Sequence, residues 1–329
     1  MTSPTLNTND SNYKWTDRGM VVHSVEGENL NAIDPGVCLA PDGTLWICYG
    51  SYHGNIELVQ LNPKTGLRIE PKSKVWIIAS ESEASDIIYH DGYYYLFVNH
   101  GSCCQGANST YNIRVGRSQK ITGPYFDRYG ENMADGAGTL FLAAQDRDIG
   151  PGHFGLLVDD GVEKFSCHYE AEIGRPGRSI LDIRPLLWTL DGWPLPGENV
   201  RDGTYQIRSQ RTGMVLESAT NGVRTARYFV RDYQKWNISA AGHGFFEISD
   251  VAATKTLAEA SDGALELAPF TGSDNQLWKI DQLADGSYRI ASAADRRALC
   301  VELKTRPGNR IGLEPFKSDD AQRWVIDAP

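Results

Sequence analysis

Apolar residues along this chain come in short runs rich in Val, Ile, Tyr, Phe and Trp, broken by Gly, Pro and Asp-Gly pairs, and no run keeps a helical period beyond a turn or two. The pattern predicts an all-β protein. In "NAIDPGVCLAPDGTLWICYGS", residues 31–51, an acid, Asp34, heads an apolar strand that turns at Asp42-Gly43 and returns. Read as a two-residue turn, Asp42-Gly43 sets Val37 opposite Cys48 and Cys38 opposite Ile47, so Cys38 and Cys48 face opposite sides of the sheet and cannot bridge. "EASDIIYHDGYYYLFV" repeats the device, with Glu83 as far ahead of Asp91-Gly92 as Asp34 is ahead of Asp42-Gly43. In "GHFGLLVDDGVEKFSCHY", His153 holds nearly the same place ahead of Asp160-Gly161. An acid at a strand start is most often a turn residue. Repetition in register points instead to a radial set of antiparallel sheets, in which the first strand of each blade starts near the axis and Asp34, Glu83 and His153 converge.

Near residue 190 the texture changes. "TLDGWPLPGENVRDG" supplies Pro, Gly and polar residues in the manner of a linker, which divides the chain into residues 1–195, a linker at 196–201 and a second domain at 202–329. The second domain repeats itself. "GTYQI", "GFFEI" and "GSYRI" each open a unit of about 42 residues, and each unit later carries Gln-x-Trp, at Gln234, Gln276 and Gln322. One such unit cannot bury its own apolar face, so three together predict threefold pseudo-symmetry around the Trp residues. This spacing resembles the ricin-type β-trefoil, a family that commonly binds carbohydrate. An acid follows the early apolar residues of each unit: Glu217, Glu259 and Glu302. Sugar-binding members of that family usually have Asp there. The three glutamates are the sugar-binding candidates, and a trefoil that only packs is the competing reading.

Composition narrows the partners. The chain has 329 residues with Lys+Arg 32 against Asp+Glu 42, a net charge of −10 that lacks the basic footprint nucleic-acid binding needs. No run approaches the length of a membrane span, and the opening "MTSPTLNTNDSNYKW" has no signal-peptide pattern. Six cysteines, at 38, 48, 103, 104, 167 and 300, are too irregular for a disulfide framework or a zinc site. The adjacent Cys103-Cys104 reads either as two small residues in a tight loop, the commoner case, or as a vicinal disulfide.

Two carboxylates facing each other across a sugar-sized cleft are the equipment of glycoside hydrolysis, one protonating the leaving oxygen and the other activating water or attacking. "NAIDP", "YGSYHGNIEL", "SEASDIIYHDGYYYLFVNHGSCCQGANSTYNIRVGRS", "GPGH" and "DIRPLLWTLDGWP", in that order, resemble the five-bladed β-propeller of glycoside hydrolase family 43, and most of all its endo-α-1,5-L-arabinanases. The resemblance implies inverting hydrolysis of plant cell-wall arabinan by a secreted enzyme. By it, Glu83 corresponds to the general acid and Asp34 to the carboxylate that orients the donor and tunes its pKa. Asn31, Ser51 and Tyr52 match positions lining sugar subsites, and Asn108 and Ser109 lie in the matching loop after the Cys pair. His153 corresponds to an imidazole facing a channel metal, typically calcium, with water filling most of the shell.

In that family the general base is an Asp of a first blade ahead of the segment matching "YKWTD". The sequence starts a dozen residues before that segment, which sets the expectation of a partial propeller without its first blade and with no obvious base; Asp10 and Asp17 are poor substitutes. An open ring exposes sheet edges, so the expectation is that copies of the chain cover one another, or that the N-terminal arm or the second domain shields the edge. A carbohydrate-binding protein without turnover is the alternative to the hydrolase.

Overall fold

The computed structural model describes residues 1–69, 74–172, 179–220, 222–302 and 310–329. The chain divides into two compact units, Met1–Leu157 with Phe165–Ile183, and Val158–Lys164 with Arg184–Pro329. Among the described residues every regular element is a strand or a single 3-10 turn, and no helix is long and apolar enough to cross a membrane.

Three four-stranded antiparallel meanders follow one another. The first holds β1 (Gly36–Leu39), β2 (Leu45–Tyr49), β3 (Asn55–Leu61) and β4 (Trp76–Ser80), and the second β5 (Glu83–His90), β6 (Tyr93–His100), β7 (Asn112–Ser118) and β8 (Thr139–Leu142). The third holds β9 (Asp148–Asp159), β10 (Val162–Glu172), β11 (Ile180–Trp188) and β12 (Pro194–Pro196), with neighbours in chain order. Alternation sorts the side chains. On β6, Leu96 and Val98 join Ile56, Leu58 and Ile78 in one buried cluster, while Phe97 points the other way and stacks on Phe154 at 3.7 Å. Asn99, two residues on from Phe97, therefore faces β9 as well.

The hairpins correct one expectation. Cys38 pairs with Trp46 and Gly36 with Cys48, because Ala40 N–H bonds to Thr44 O and the loop holds three residues, with Gly43 in the left-handed region. Cys38 and Cys48 therefore share a face, both buried in the same cluster, rather than facing apart. At Asp91-Gly92 the two-residue turn is present, since His90 pairs with Tyr93 and both turn residues have positive φ. On the outer face of the first sheet, Ile47, Tyr49, Val59 and Leu61 are covered by Val21, Val22 and Leu30, whereas Val37, Leu39 and Ile77 stay 56%, 65% and 55% exposed.

In the second unit, twelve strands from β13 (Gly203–Ser209) to β24 (Trp324–Asp327) form one sheet system around Trp236, Trp278 and Trp324, all fully buried. The Gln-x-Trp repeats have one physical job, done three times. Each Gln accepts a backbone N–H five residues back (Phe229, Thr271, Lys317) at 2.7 Å, and donates to a carbonyl seven back (Arg227, Pro269, Pro315). Each Trp ring N–H donates to the carbonyl of Leu216, Leu257 or Leu299. A buried amide and indole so paired incur no unmet polar cost while fixing loop to core. The stretch read as a linker is anchored within this unit, since Arg184 donates to Gly197 O and pairs with Glu198.

Candidate active site

Glu83 opens β5 opposite Asn99, yet the next pair along the ladder is Asp86 with Phe97, so β5 carries one extra residue between them. That bulge passes through Ala84 at φ 52°. A bulge re-aims the side chain beside it, and here that side chain is Glu83. The extra residue also offsets the extra loop residue of the first hairpin, which puts Asp34 and Glu83 at matching levels. Gly36 packs so tightly against Ser85 O and Asp86 Cα that an added Cβ would lie 2.5 Å from the carbonyl. Asp34 stands two residues ahead of that contact, as Glu83 stands two ahead of Ser85. Asp34 and His153 are themselves left-handed, at φ 54° and 59°. Non-glycine residues in this region store roughly 1–3 kcal/mol of strain and cluster at functional sites.

A web of hydrogen bonds fixes the neighbourhood. Tyr111 donates its hydroxyl to Glu83 Oε1 at 2.6 Å, and burial first, then this bond, drives its pKa far up, so it stays a donor. Asn99, fully buried, accepts from His153 N–H at 2.9 Å and donates to Pro151 O and Asn112 O. Tyr52 donates to Asn99 O and Gly101 O, and burial, followed by the charge of Glu83, pushes its pKa up to about 12. Asn31 Nδ2 donates to Ser51 Oγ at 3.0 Å, and Ser51 is buried. The "GPGH" segment is glycine-rich for a steric reason. A Cβ on Gly152 would sit 2.4 Å from the Tyr111 ring, and one on Gly150 would sit 2.5 Å from Ser109 Oγ.

The sequence candidates thus divide. Glu83, Tyr52 and His153 are gathered around Asn99, with Asn31 and Ser51 joined to Tyr52 through the chain. Asn108 is exposed on a 3-10 turn, while the buried Ser109 spends its hydroxyl on Ser102 O and Tyr111 N–H. Asp10 and Asp17 accept backbone N–H groups of Asn12 and Gly19 in local turns. In the trefoil, Glu217 is buried and accepts from Arg224 and Gln234, and Glu259 accepts from Arg297 and Ser292. Glu302 is exposed beside Gly312. Sequence reasoning missed Asn99, Tyr111, His168 and Glu170. The signal for Asn99 was present, a lone amide closing the apolar run "YYYLFVN".

His153 is exposed, and its charge, after burial, helps lower the pKa of His168. Among the described residues no group of three His, Cys, Asp or Glu could hold a metal ion. Calcium takes six to eight oxygen ligands. An imidazole supplies nitrogen, so a calcium ion at His153 would take its oxygen ligands from water. A cavity of about 530 Å³ lies elsewhere, lined by Met20, Val21, Leu30, Tyr49, Glu57 and Arg68, and shares no lining residue with the Glu83 web.

Comparison with known proteins returns two families. A profile described as glycosyl hydrolases family 43 matches residues 5–194, and one described as ricin-type beta-trefoil lectin domain-like matches residues 232–314. The chain is 38% identical over 186 residues to the extracellular endo-alpha-(1->5)-L-arabinanase 1 of Bacillus subtilis, covering 55% of each. It is 35% identical to the extracellular exo-alpha-(1->5)-L-arabinofuranosidase ArbA of Cellvibrio japonicus, covering 62% of this chain and 63% of that protein. The chain thus spans about 55–63% of the length of these two relatives. Among solved structures, the Cellvibrio cellulosa alpha-L-arabinanase superposes with a TM-score of 0.56 at 33% identity, over 60% of this chain and 67% of that one.

Proposed function

Because the chain belongs to glycosyl hydrolases family 43, we propose that it hydrolyses α-1,5-linked L-arabinan of plant cell walls with inversion, using Glu83 as general acid and Asp34 to orient it. The observation that carries this reading is the bulge at Ala84, which turns Glu83 to the hydroxyl of Tyr111 within the web around Asn99. In the reaction the glycosidic C–O bond breaks and the leaving oxygen takes the proton of Glu83. Water adds its oxygen to the anomeric carbon from the opposite face and gives up a proton to a base. No residue of the Glu83 web is assigned as that base. Tyr111 holds the donor carboxyl in place, and Tyr52, Asn31 and Ser51 line the sugar path. Glu217 is assigned to bracing its own trefoil repeat and Glu259 to tying the second repeat to the third, since their oxygens already serve internal donors. The relatives named above are called extracellular, and we place this chain outside the cell on that likeness.

The test is the anomer first released from linear arabinan, followed by NMR. Inversion is expected, and retention overturns the assignment.

A further inference from the structure

The side chains of Cys103 and Cys104 converge until their sulfurs are 2.9 Å apart, in thiol-to-thiol contact. Cys104 takes a left-handed backbone, φ 63°, which few non-glycine residues adopt without a reason. The loop is held in that shape from outside. Glu170 on β10 accepts Cys104 N–H at 2.9 Å with one carboxylate oxygen and Gln105 N–H at 3.1 Å with the other. From the other side, Ser102 N–H bonds to Thr110 Oγ1, and Ser109 Oγ donates to Ser102 O. Access separates this pair from the other thiols, because Cys38, Cys48, Cys167 and Cys300 are all buried while Cys104 is exposed. Exposure admits an external disulfide to Cys104, while the hydrogen bond with Cys104 and then burial push the Cys103 thiol up to about 12, which makes Cys104 the attacking thiol and Cys103 the slower, resolving one.

We propose that Cys103 and Cys104 form a redox-active vicinal dithiol, a modification site on the loop beside Glu83, which a small-molecule disulfide closes to a ring and a reductant reopens. The Cys104 thiolate attacks the external disulfide, forming a mixed disulfide and releasing one thiolate. Cys103 then loses its proton to solvent and attacks the Cys104 sulfur, releasing the second. The pair gives up two electrons and two protons, and the external disulfide becomes two thiols. Adjacent Cα atoms are about 3.8 Å apart, below the roughly 4.4–6.8 Å usual for disulfides. The ring is therefore strained and readily reduced, which makes it a reversible site rather than a structural bridge.

Mass spectrometry of the whole chain, treated with oxidised glutathione and then alkylated without denaturation, tests this. The peptide carrying residues 103 and 104 should be two hydrogens lighter and take no alkyl group, and dithiothreitol should restore both alkylation sites. In Cys103→Ser, which cannot close the ring, Cys104 should retain one glutathione. Alkylation of both cysteines after oxidation, two retained glutathiones on the wild-type pair, or no adduct on the variant overturns the proposal. None of these readouts depends on arabinan hydrolysis.

Discussion

Glu83 is aimed by its neighbours more than by its own strand position. Tyr111→Phe removes the hydroxyl that meets Glu83 Oε1. A hydrogen bond to a charged group is worth about 1.5–3 kcal/mol, so kcat should fall by roughly ten- to a hundredfold with little change in KM. Steady-state kinetics on arabinan check this, and a pure KM effect would place Tyr111 in substrate binding instead. Asp86, past the bulge, offers a second residue-scale test. Burial, opposed by N–H bonds from Ile87 and Leu156, raises its pKa from 3.8 to about 7. Between those values the folded chain keeps a proton that the unfolded chain releases. The contribution of Asp86 to stability is thus full below about pH 4 and lost as pH rises to about 7. Urea midpoints from pH 4 to 7 should therefore fall less steeply in Asp86→Asn than in the wild type.

At the scale of elements, the repeats were legible in the sequence and the irregularities were not. Gln-x-Trp could be read because three copies impose one chemistry. The bulge could not, since Ala84 at positive φ leaves no mark in composition, and Asp42-Gly43 suits either a two- or a three-residue loop. Likewise Glu217 looked available to a sugar because its partner Arg224 meets it only across the β-hairpin. The trefoil slot four residues before each Gln is left-handed in all three repeats, held by Val230 (φ 58°), Gly272 (79°) and Ser318 (61°). Valine is the poorest fit there, being β-branched and 62% exposed. Val230→Gly should stabilise by about 1 kcal/mol in urea titration. Asp281, 2% exposed, binds Arg289 at 2.7 Å and Lys164 at 2.8 Å. Asp281→Asn should cost up to about 3 kcal/mol in urea titration, because Lys164 and Arg289 lose their buried carboxylate and keep only the more exposed Asp159 and Asp160.

For the molecule as a whole, the family-43 region brings the ends of successive sheets together around Asn99, and the trefoil supplies a separately cored body. The order of motifs from "NAIDP" to "GPGH" made the family legible, because each motif meets a steric or hydrogen-bonding demand at the same end of its sheet. Assembly was less legible, since edge exposure depends on what covers each face. Copies are proposed to associate through open sheet edges, so sedimentation should give a mass above the 36.4 kDa of one chain, and a strict monomer would refute it. The central claim, that Glu83 supplies the proton to the leaving oxygen, is tested most directly by comparing wild type and Glu83→Gln on linear arabinan and on an aryl arabinoside whose leaving group needs no proton. The account predicts a loss of roughly a hundredfold or more on arabinan and a much smaller loss on the aryl substrate. Equal rates for wild type and variant on arabinan, or equal losses on both substrates, would contradict it.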